Sequence, residues 1–329
     1  MITLGIETSC DETAASICKD GKIISNTISR QLIHTEFGGV VPEIASREHE
    51  TLLNSVVHAT LLESEIELPE LDAIAVTQGP GLAGTLLTGI SFAKGLGIGL
   101  GIPVIPVNHL EGHIFANFLA NQFLKFPFVC LLVSGGHTQL WSIKGMEKYI
   151  LLGETRDDAA GEAFDKGARI LGLKYPGGPE IEKAALGGDS NKIDFPRSLL
   201  SKNSLEFSFS GLKTSLLYFM DDFQETESIK LKDVIASYQK AIIDTLVEKV
   251  KRALRITGYD RCVIAGGVAA NKCLRHQLGV VLPTKEIIFP ELSFCTDNAA
   301  MISYLGELKI KLGKCESLDF SANPNLRLI

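Results

Sequence analysis

Phe128-Val129-Cys130-Leu131-Leu132-Val133-Ser134-Gly135-Gly136-His137-Thr138-Gln139-Leu140-Trp141-Ser142-Ile143 is the stretch on which the fold turns. Six apolar residues in a row predict a buried strand over Phe128–Val133, the turn formers Ser134–His137 reverse the chain, and Gln139–Ile143 returns beside it. The first thirty residues repeat that design. Ile2–Glu7, Thr13–Cys18 and Lys22–Ser29 read as strands, separated by the polar turns Cys10-Asp11-Glu12 and Asp20-Gly21. Two strand–turn–strand units some 120 residues apart predict a duplicated α/β fold, because the intervening chain alternates strands with helices. A helix is expected from Pro42, with Ile44, Leu52, Leu53, Val56, Val57 and Leu61 forming one apolar stripe. The strand Leu71–Thr77 then leads through Gln78-Gly79-Pro80-Gly81-Leu82-Ala83-Gly84-Thr85 into an apolar helix. Val104–Val107 leads to a helix near Asn108–Leu119, and Cys262–Ala265 through Gly266–Asn271 to another. Glu286–Phe289 and a helix from about Asp297 close the pattern. Residues 156–255 read as mainly helical, with loops at Tyr175–Pro179 and around Ser201–Gly211.

A chain of 329 residues exceeds what one core usually holds, so two lobes with a cleft between them are expected. No charge-free apolar window of about 18 residues occurs, which predicts no membrane span, and Met1–Glu7 lacks a basic, then apolar, leader. These features place the chain in the cytoplasm. Its seven cysteines (10, 18, 130, 262, 273, 295 and 315) contain no Cys-x-x-Cys pair, so they read as small buried hydrophobes. A net charge of −7 argues against a freestanding nucleic-acid binder. Lys249-Val250-Lys251-Arg252-Ala253-Leu254-Arg255 supplies either a local basic stripe or a solvated helix face.

His109 and His113 lie four apart on a predicted helix, a spacing that lets both imidazoles reach one ion. Glu111 is two residues from His109, so the His-Glu-x-x-His pattern of zinc peptidases is absent. The best third ligand is Asp297, for which helix capping is the competing role. Two imidazoles and a carboxylate leave open coordination positions and suit zinc or ferrous iron. Three glycine-rich turns, Leu132–Thr138, Tyr175–Pro179 and Ala265–Asn271, have the small residues that let backbone N–H groups approach an anion. None matches a Walker loop or a dinucleotide fingerprint. Glu7, Asp11 and Glu12 cluster in the first hairpin; Asp157, Asp158, Glu162, Asp165 and Lys166 crowd a helix start, where Glu162 or Asp165 could hold a ribose or hydroxyl. Phe207–Thr214 alternates aromatic and hydroxyl residues and suits a packed strand or a recognition loop equally.

Together these strings resemble the TsaD family of tRNA N6-adenosine threonylcarbamoyltransferases, formerly called glycoproteases. The carriers are Leu4–Thr13, Pro106–His113, Val133–Leu140, Gly161–Lys166, Tyr175–Pro179, Phe207–Thr214, Ala265–Asn271 and Phe294–Asn298. The resemblance implies the actin-like fold of sugar kinases and heat-shock chaperones, with residues 1–125 plus 297–329 as one lobe and 126–296, with a helical insertion, as the other. It implies metal ligation by His109, His113 and Asp297. It also implies contacts to threonylcarbamoyl-AMP from Leu132, Val133, Ser134, Gly135, Gly136, Asp165, Gly178 and Asn271, with Glu182 as the nearest equivalent of an acidic ribose contact. The implied reaction moves the threonylcarbamoyl group onto the N6 amine of the adenosine 3′ of the anticodon, in tRNAs reading codons that begin with adenine. Asp11 and Glu12 are candidate proton acceptors, a role that water or a substrate group would serve as well. Implied partners are tRNA, a paralogous actin-like TsaB-type subunit and a small TsaE-type ATPase. The rival readings are an ATPase or small-molecule kinase of the same superfold, a metallo-glycopeptidase and a non-catalytic scaffold.

Overall fold

The structure is a computed structural model that describes residues 1–121, 123–199, 204–314 and 318–328. The chain divides into two compact units, one gathering Met1–Gln122 and Asp297–Leu328, the other Phe123–Thr296. Cys315 and residues 201–203 of the Ser201–Gly211 loop lie outside the described residues.

In the first unit, β1 (Ile2–Glu7), β2 (Glu12–Lys19) and β3 (Lys22–Arg30) form an antiparallel meander, and β4 (Ala73–Gly79) and β5 (Val104–Asn108) extend the sheet in parallel. The order is β3-β2-β1-β4-β5. Registers such as Leu4↔Ile17 and Leu4↔Ile74 bring apolar residues of three strands into one row. In the second unit, β6 (Phe128–Val133), β7 (Thr138–Gly145) and β8 (Lys148–Glu154) form the meander, and β9 (Arg261–Ala265) and β10 (Glu286–Ile288) are the parallel strands. The order is β10-β9-β6-β7-β8, the same arrangement read from the meander outward. Strand β8 is the one element of this repeat that the sequence reading did not place.

Ten α-helices are present among the described residues: α1 (His34–Phe37), α2 (Pro42–Ser64), α3 (Ala83–Leu100), α4 (His109–Ala120), α5 (Ala160–Ile170), α6 (Gly177–Ala184), α7 (Ser210–Asp221), α8 (Leu231–Thr257), α9 (Lys272–Val281) and α10 (Ala300–Lys311). Helix α2 starts with Pro42 at its first position, where a missing N–H is harmless. Helix α3 is long and apolar enough to cross a membrane by length and composition, with Lys94 its single charge. Here it buries Leu86, Ile90 and Ala93 within the first unit, and Lys94 donates to the carbonyls of Leu318 and Phe320.

The first core joins Leu4, Ile6 and Ile17 of the sheet to Leu53 and Val57 of α2 and Ile90 of α3. The second joins Val129, Leu131 and Ile264 to Phe164, Tyr238 and Leu246. Each large side chain removed from water contributes about 1.5–3 kcal/mol. Helix α10 lies against β1 and β4 at a distance only glycine allows. A Cβ on Gly5 would stand 2.5 Å from the Ser303 nitrogen, and one on Gly306 would stand 2.3 Å from the Ala75 Cβ. That close approach sets where the residues just before α10 can go.

Candidate functional site

Helix α4 starts directly after β5. Asn108 caps it, its Oδ1 accepting from the N–H groups of Leu110 at 2.9 Å and Glu111 at 3.3 Å. His109 and His113 then occupy one face, with ring centroids 4.7 Å apart. Asp297 Oδ1 lies 3.1 Å from His113 Nε2 and 3.5 Å from His109 Nε2. One donor atom from each of the three residues falls within 4.8 Å of the others. Glu111 turns away and pairs with Lys309 at 3.0 Å. Helix α10 begins at Ala300, later than the sequence reading placed it, and Asn298 Oδ1, not Asp297, accepts from the Met301 N–H at 3.1 Å. Capping is thus done by the neighbour, and the Asp297 carboxylate is directed to the imidazoles.

Behind His109 stands Glu7, fully buried at the end of β1. His109 Nδ1 is 3.0 Å from Glu7 Oε2 and 3.2 Å from Ser9 Oγ. Glu7 also accepts from the Ser9 N–H and the Thr77 hydroxyl, each at 2.6 Å. Burial opposes charge on all three of Glu7, His109 and Asp297, yet their mutual attraction prevails. His109 is held well above its ordinary 6.5, and Glu7 and Asp297 are held below the usual carboxylate range. The pocket therefore demands a positive charge. A divalent ion would supply it, taking the place of the second imidazole proton. With Nδ1–H donating to Glu7, the His109 Nε2 lone pair is directed outward, the carboxylate–histidine arrangement that orients metal ligands. The donor set and its support fit a metal ion.

Asp11 sits in the β1–β2 turn of the same unit and Glu12 opens β2. The Glu12 carboxyl is pushed well above its ordinary value, first by burial and then by the charges of Asp297 and Asp11. Sequence reasoning missed His49 of α2, which is fully buried behind this turn. Its Nε2 lies 3.0 Å from the Cys10 carbonyl and its Nδ1 2.7 Å from the Thr13 hydroxyl. A carbonyl only accepts, so Nε2 carries the proton and Nδ1 receives the Thr13 O–H. Burial first of all keeps this imidazole below its ordinary value, in agreement with that neutral tautomer. The available signal was an imidazole four residues before Leu53 on the apolar stripe. Glu7 was noticed only as one of a group of acids.

In the second unit, the glycine turns gather at the carboxyl ends of the parallel strands β6 and β9, where α/β sheets commonly bind ligands. Gly161 opens α5 against the turn; its N–H donates to the Ser134 carbonyl at 3.2 Å, and a Cβ there would stand 2.5 Å from that oxygen. Gly266 has φ +91° and its missing Cβ would stand 2.5 Å from the Val133 oxygen. Gly135, Gly136 and Gly178 face open space. Leu132 and Val133 are fully buried and their backbones belong to the β6–β7 ladder. Asp165 Oδ1 accepts from the Gly177 N–H at 2.7 Å, tying the end of α5 to the start of α6. Asn271 caps α9 through the Leu274 N–H at 2.9 Å and donates to Gln239. Glu182 accepts from the Lys272 N–H at 2.9 Å, while Glu162 pairs with Lys166 at 2.8 Å.

Phe207–Thr214 is not a packed strand along its length. Phe207 and Phe209 are buried and stacked, Ser208 and Ser210 donate to Asp157, and α7 starts at Ser210. In Lys249–Arg255, Lys251 and Arg255 are exposed, but Lys249 belongs to neither a basic stripe nor a solvated face. Lys249 is fully buried, donating to the Leu199 and Ser204 carbonyls, and burial pushes its ammonium down to about 8. Cys18, Cys130, Cys262 and Cys295 are buried as expected, whereas Cys10 and Cys273 are half-buried.

Residues 22–304 match the family TsaD, tRNA N6-adenosine threonylcarbamoyltransferase. A protein of that name from Thermosipho africanus is 49% identical over 331 residues, covering 100% of both chains. Another from Caldicellulosiruptor saccharolyticus is 49% identical over 334 residues, covering 100% of this chain and 99% of its own. Among solved structures, component A of the (R)-2-hydroxyglutaryl-CoA dehydratase of Acidaminococcus fermentans superposes with a TM-score of 0.58 at 15% identity, covering 94% of this chain and 99% of its own. That likeness is one of fold.

Proposed function

The chain belongs to the TsaD family of tRNA N6-adenosine threonylcarbamoyltransferases, and on that premise we propose that it transfers the threonylcarbamoyl group of threonylcarbamoyl-AMP to the N6 amine of the adenosine 3′ of the anticodon, in tRNAs reading codons that begin with adenine. The observation that carries the reading is the convergence of His109, His113 and Asp297, backed by Glu7, in a chain whose full length aligns with proteins of this name. The kinase and peptidase readings are not favoured, because the full-length relatives share one activity in their names and the zinc-peptidase spacing is absent.

In this reading, the amine nitrogen attacks the carbamoyl carbon, the bond from that carbon to the AMP phosphate oxygen breaks, and the amine gives up one proton. His109, His113 and Asp297 would hold one divalent ion, Fe2+ or Zn2+, and that ion would supply Lewis acidity at the site. Glu7 keeps the His109 proton on Nδ1 and so presents Nε2 as a ligand. Asp11 and Glu12 take the amine proton; burial first of all raises the Glu12 carboxyl well above the usual carboxylate range. We assign the adenylate to the second unit, with Ser134, Gly135, Gly136 and Gly178 offering open backbone, Asp165, Glu182 and Asn271 shaping the turns around it, and Leu132 and Val133 contributing only through the strand that carries them. Holding a weak aromatic amine against its acyl donor is worth about 7–11 kcal/mol when the geometry is right.

The partners of this reading are tRNA, a paralogous actin-like subunit and a small ATPase, acting in the cytoplasm. The test incubates the purified protein, alone and with those partners, with threonylcarbamoyl-AMP and unmodified tRNA, and then digests the tRNA to nucleosides. Threonylcarbamoyladenosine with stoichiometric AMP is the expected result; ATP hydrolysis with unaltered tRNA would return the kinase-like reading.

A further inference from the structure

Residues 318–328 contain no helix or strand, yet they are tied to three places in the first unit. Lys94 of α3 donates to the Leu318 carbonyl at 2.6 Å and to that of Phe320, and its ammonium stands 4.3 Å from the centroid of the Phe320 ring. At the end of β4, Gln78 donates to the Ser321 carbonyl at 3.1 Å, the Asn323 N–H returns a bond to the Gln78 carbonyl at 2.9 Å, and the Gly81 N–H donates to Pro324 at 3.2 Å. The segment runs so close that a Cβ on Gly79 would stand 1.9 Å from the Asn323 oxygen. It finishes at the start of α4, where Asn108 Nδ2 donates to the Arg327 carbonyl at 3.0 Å, and Leu328 is buried beyond it.

That last bond concerns the histidines. The cap on α4 works only while Asn108 Oδ1 faces the Leu110 and Glu111 N–H groups, and a primary amide can be turned over. The Arg327 carbonyl accepts only, so it selects the orientation with Nδ2 toward the tail and Oδ1 toward the helix. His109 is the next residue in the chain.

We propose that the tail Leu318–Leu328 is a positioning strap for the metal ligands: by fixing the Asn108 amide it fixes the first turn of α4, and with it the direction of the His109 and His113 imidazoles. The proposal rests on the metal reading of the site. Asn108 and Arg327 touch neither substrate nor ion and act only through the helix.

The test measures zinc affinity, by competition with a chromophoric chelator, for four forms of the whole protein: unaltered, ending after Leu326, Asn108→Ser, and both changes together. Serine keeps a capping oxygen but cannot span to Arg327. Each single change should weaken zinc binding by about tenfold, the lower end of what is lost when a partner of a metal ligand is removed. The double variant should be no weaker than either single one, because both changes break the same link. Thermal unfolding of the metal-free forms identifies any truncated protein that has lost its fold, in which case Asn108→Ser alone decides. Unaltered affinity in the folded variants, or losses that simply add, would overturn the strap. An unaltered protein that binds no zinc or ferrous iron would instead overturn the metal reading beneath it.

Discussion

The β1–β2 turn and the β6–β7 turn occupy the same place in two sheets of the same order, yet they are built from opposite materials. Glu7, Ser9, Asp11 and Glu12 load the first with carboxylates and a hydroxyl, and α4 and Asp297 bring imidazoles and a fourth carboxylate to it. Ser134, Gly135 and Gly136 leave the second almost bare, with Gly161 and Gly266 pressed against its backbone. A turn lined by buried acids selects a cation, while a turn of exposed amides suits an anion. Duplication thus supplied one scaffold twice, with two kinds of turn at the same place in its two copies.

The sharpest way to break this comparison is to empty the charged turn. His109→Ala or Asp297→Ala should lower bound metal, and threonylcarbamoyl transfer with it, by a hundredfold or more on the order of magnitude seen for open catalytic sites. Adenylate binding measured by calorimetry should survive. If both variants kept full metal content and activity, the cation role of this turn would be wrong.

Glu7→Gln should have the next largest effect, a roughly 10–100-fold loss of metal affinity, because an amide no longer stabilises charge on His109. It also has a pH signature. In the unaltered protein a metal must displace the proton of a histidine raised well above 6.5, so apparent affinity climbs as pH rises through that raised value. Without the Glu7 charge the climb should move to lower pH, read from zinc titrations across the range. An unmoved profile would show that Glu7 does not set this proton.

Gly266→Ala addresses the bare turn. A side chain at φ +91°, 2.5 Å from the Val133 oxygen, should destabilise the protein by about 1–3 kcal/mol and weaken adenylate binding while metal content stays full. Loss of metal instead would mean that the turns are not separately specialised.

The smallest effect concerns Lys249. Its native value of about 8 lies below its unfolded 10.5, so between those values the unfolded chain holds the proton more often. Stability should therefore rise with pH over that window, by at most about 1.4 kcal/mol per unit, and should fall back as pH drops through 8. Denaturant unfolding of Lys249→Met, which has nothing to titrate there, should lack the rise.

Much of this was legible beforehand because it is written in local patterns. Apolar runs broken by Ser134–His137 and by Cys10–Glu12 marked the hairpins, and the four-residue spacing put His109 and His113 on one face. Strand β8 escaped because Lys148–Glu154 is the outermost strand of its meander and largely exposed, so its apolar run Tyr149–Leu152 does not mark a buried strand. Lys249 read as a surface charge because its helix periodicity does not reveal that the Leu199 and Ser204 carbonyls wait opposite it. Asp297 had two admissible roles, and nothing within its own neighbourhood chose between them.

By itself, the order of residues determined the element types, the duplicated sheet and the pairing of two imidazoles, since these follow from periods of two and of three to four residues along one segment. Tertiary structure decided what meets across the chain: Glu7 behind His109, Asp297 in front of it, His49 under the turn and the 318–328 segment upon Asn108. Those meetings depend on how closely α10 lies on β1, a distance set by the absence of side chains at Gly5 and Gly306 that no one-dimensional period encodes.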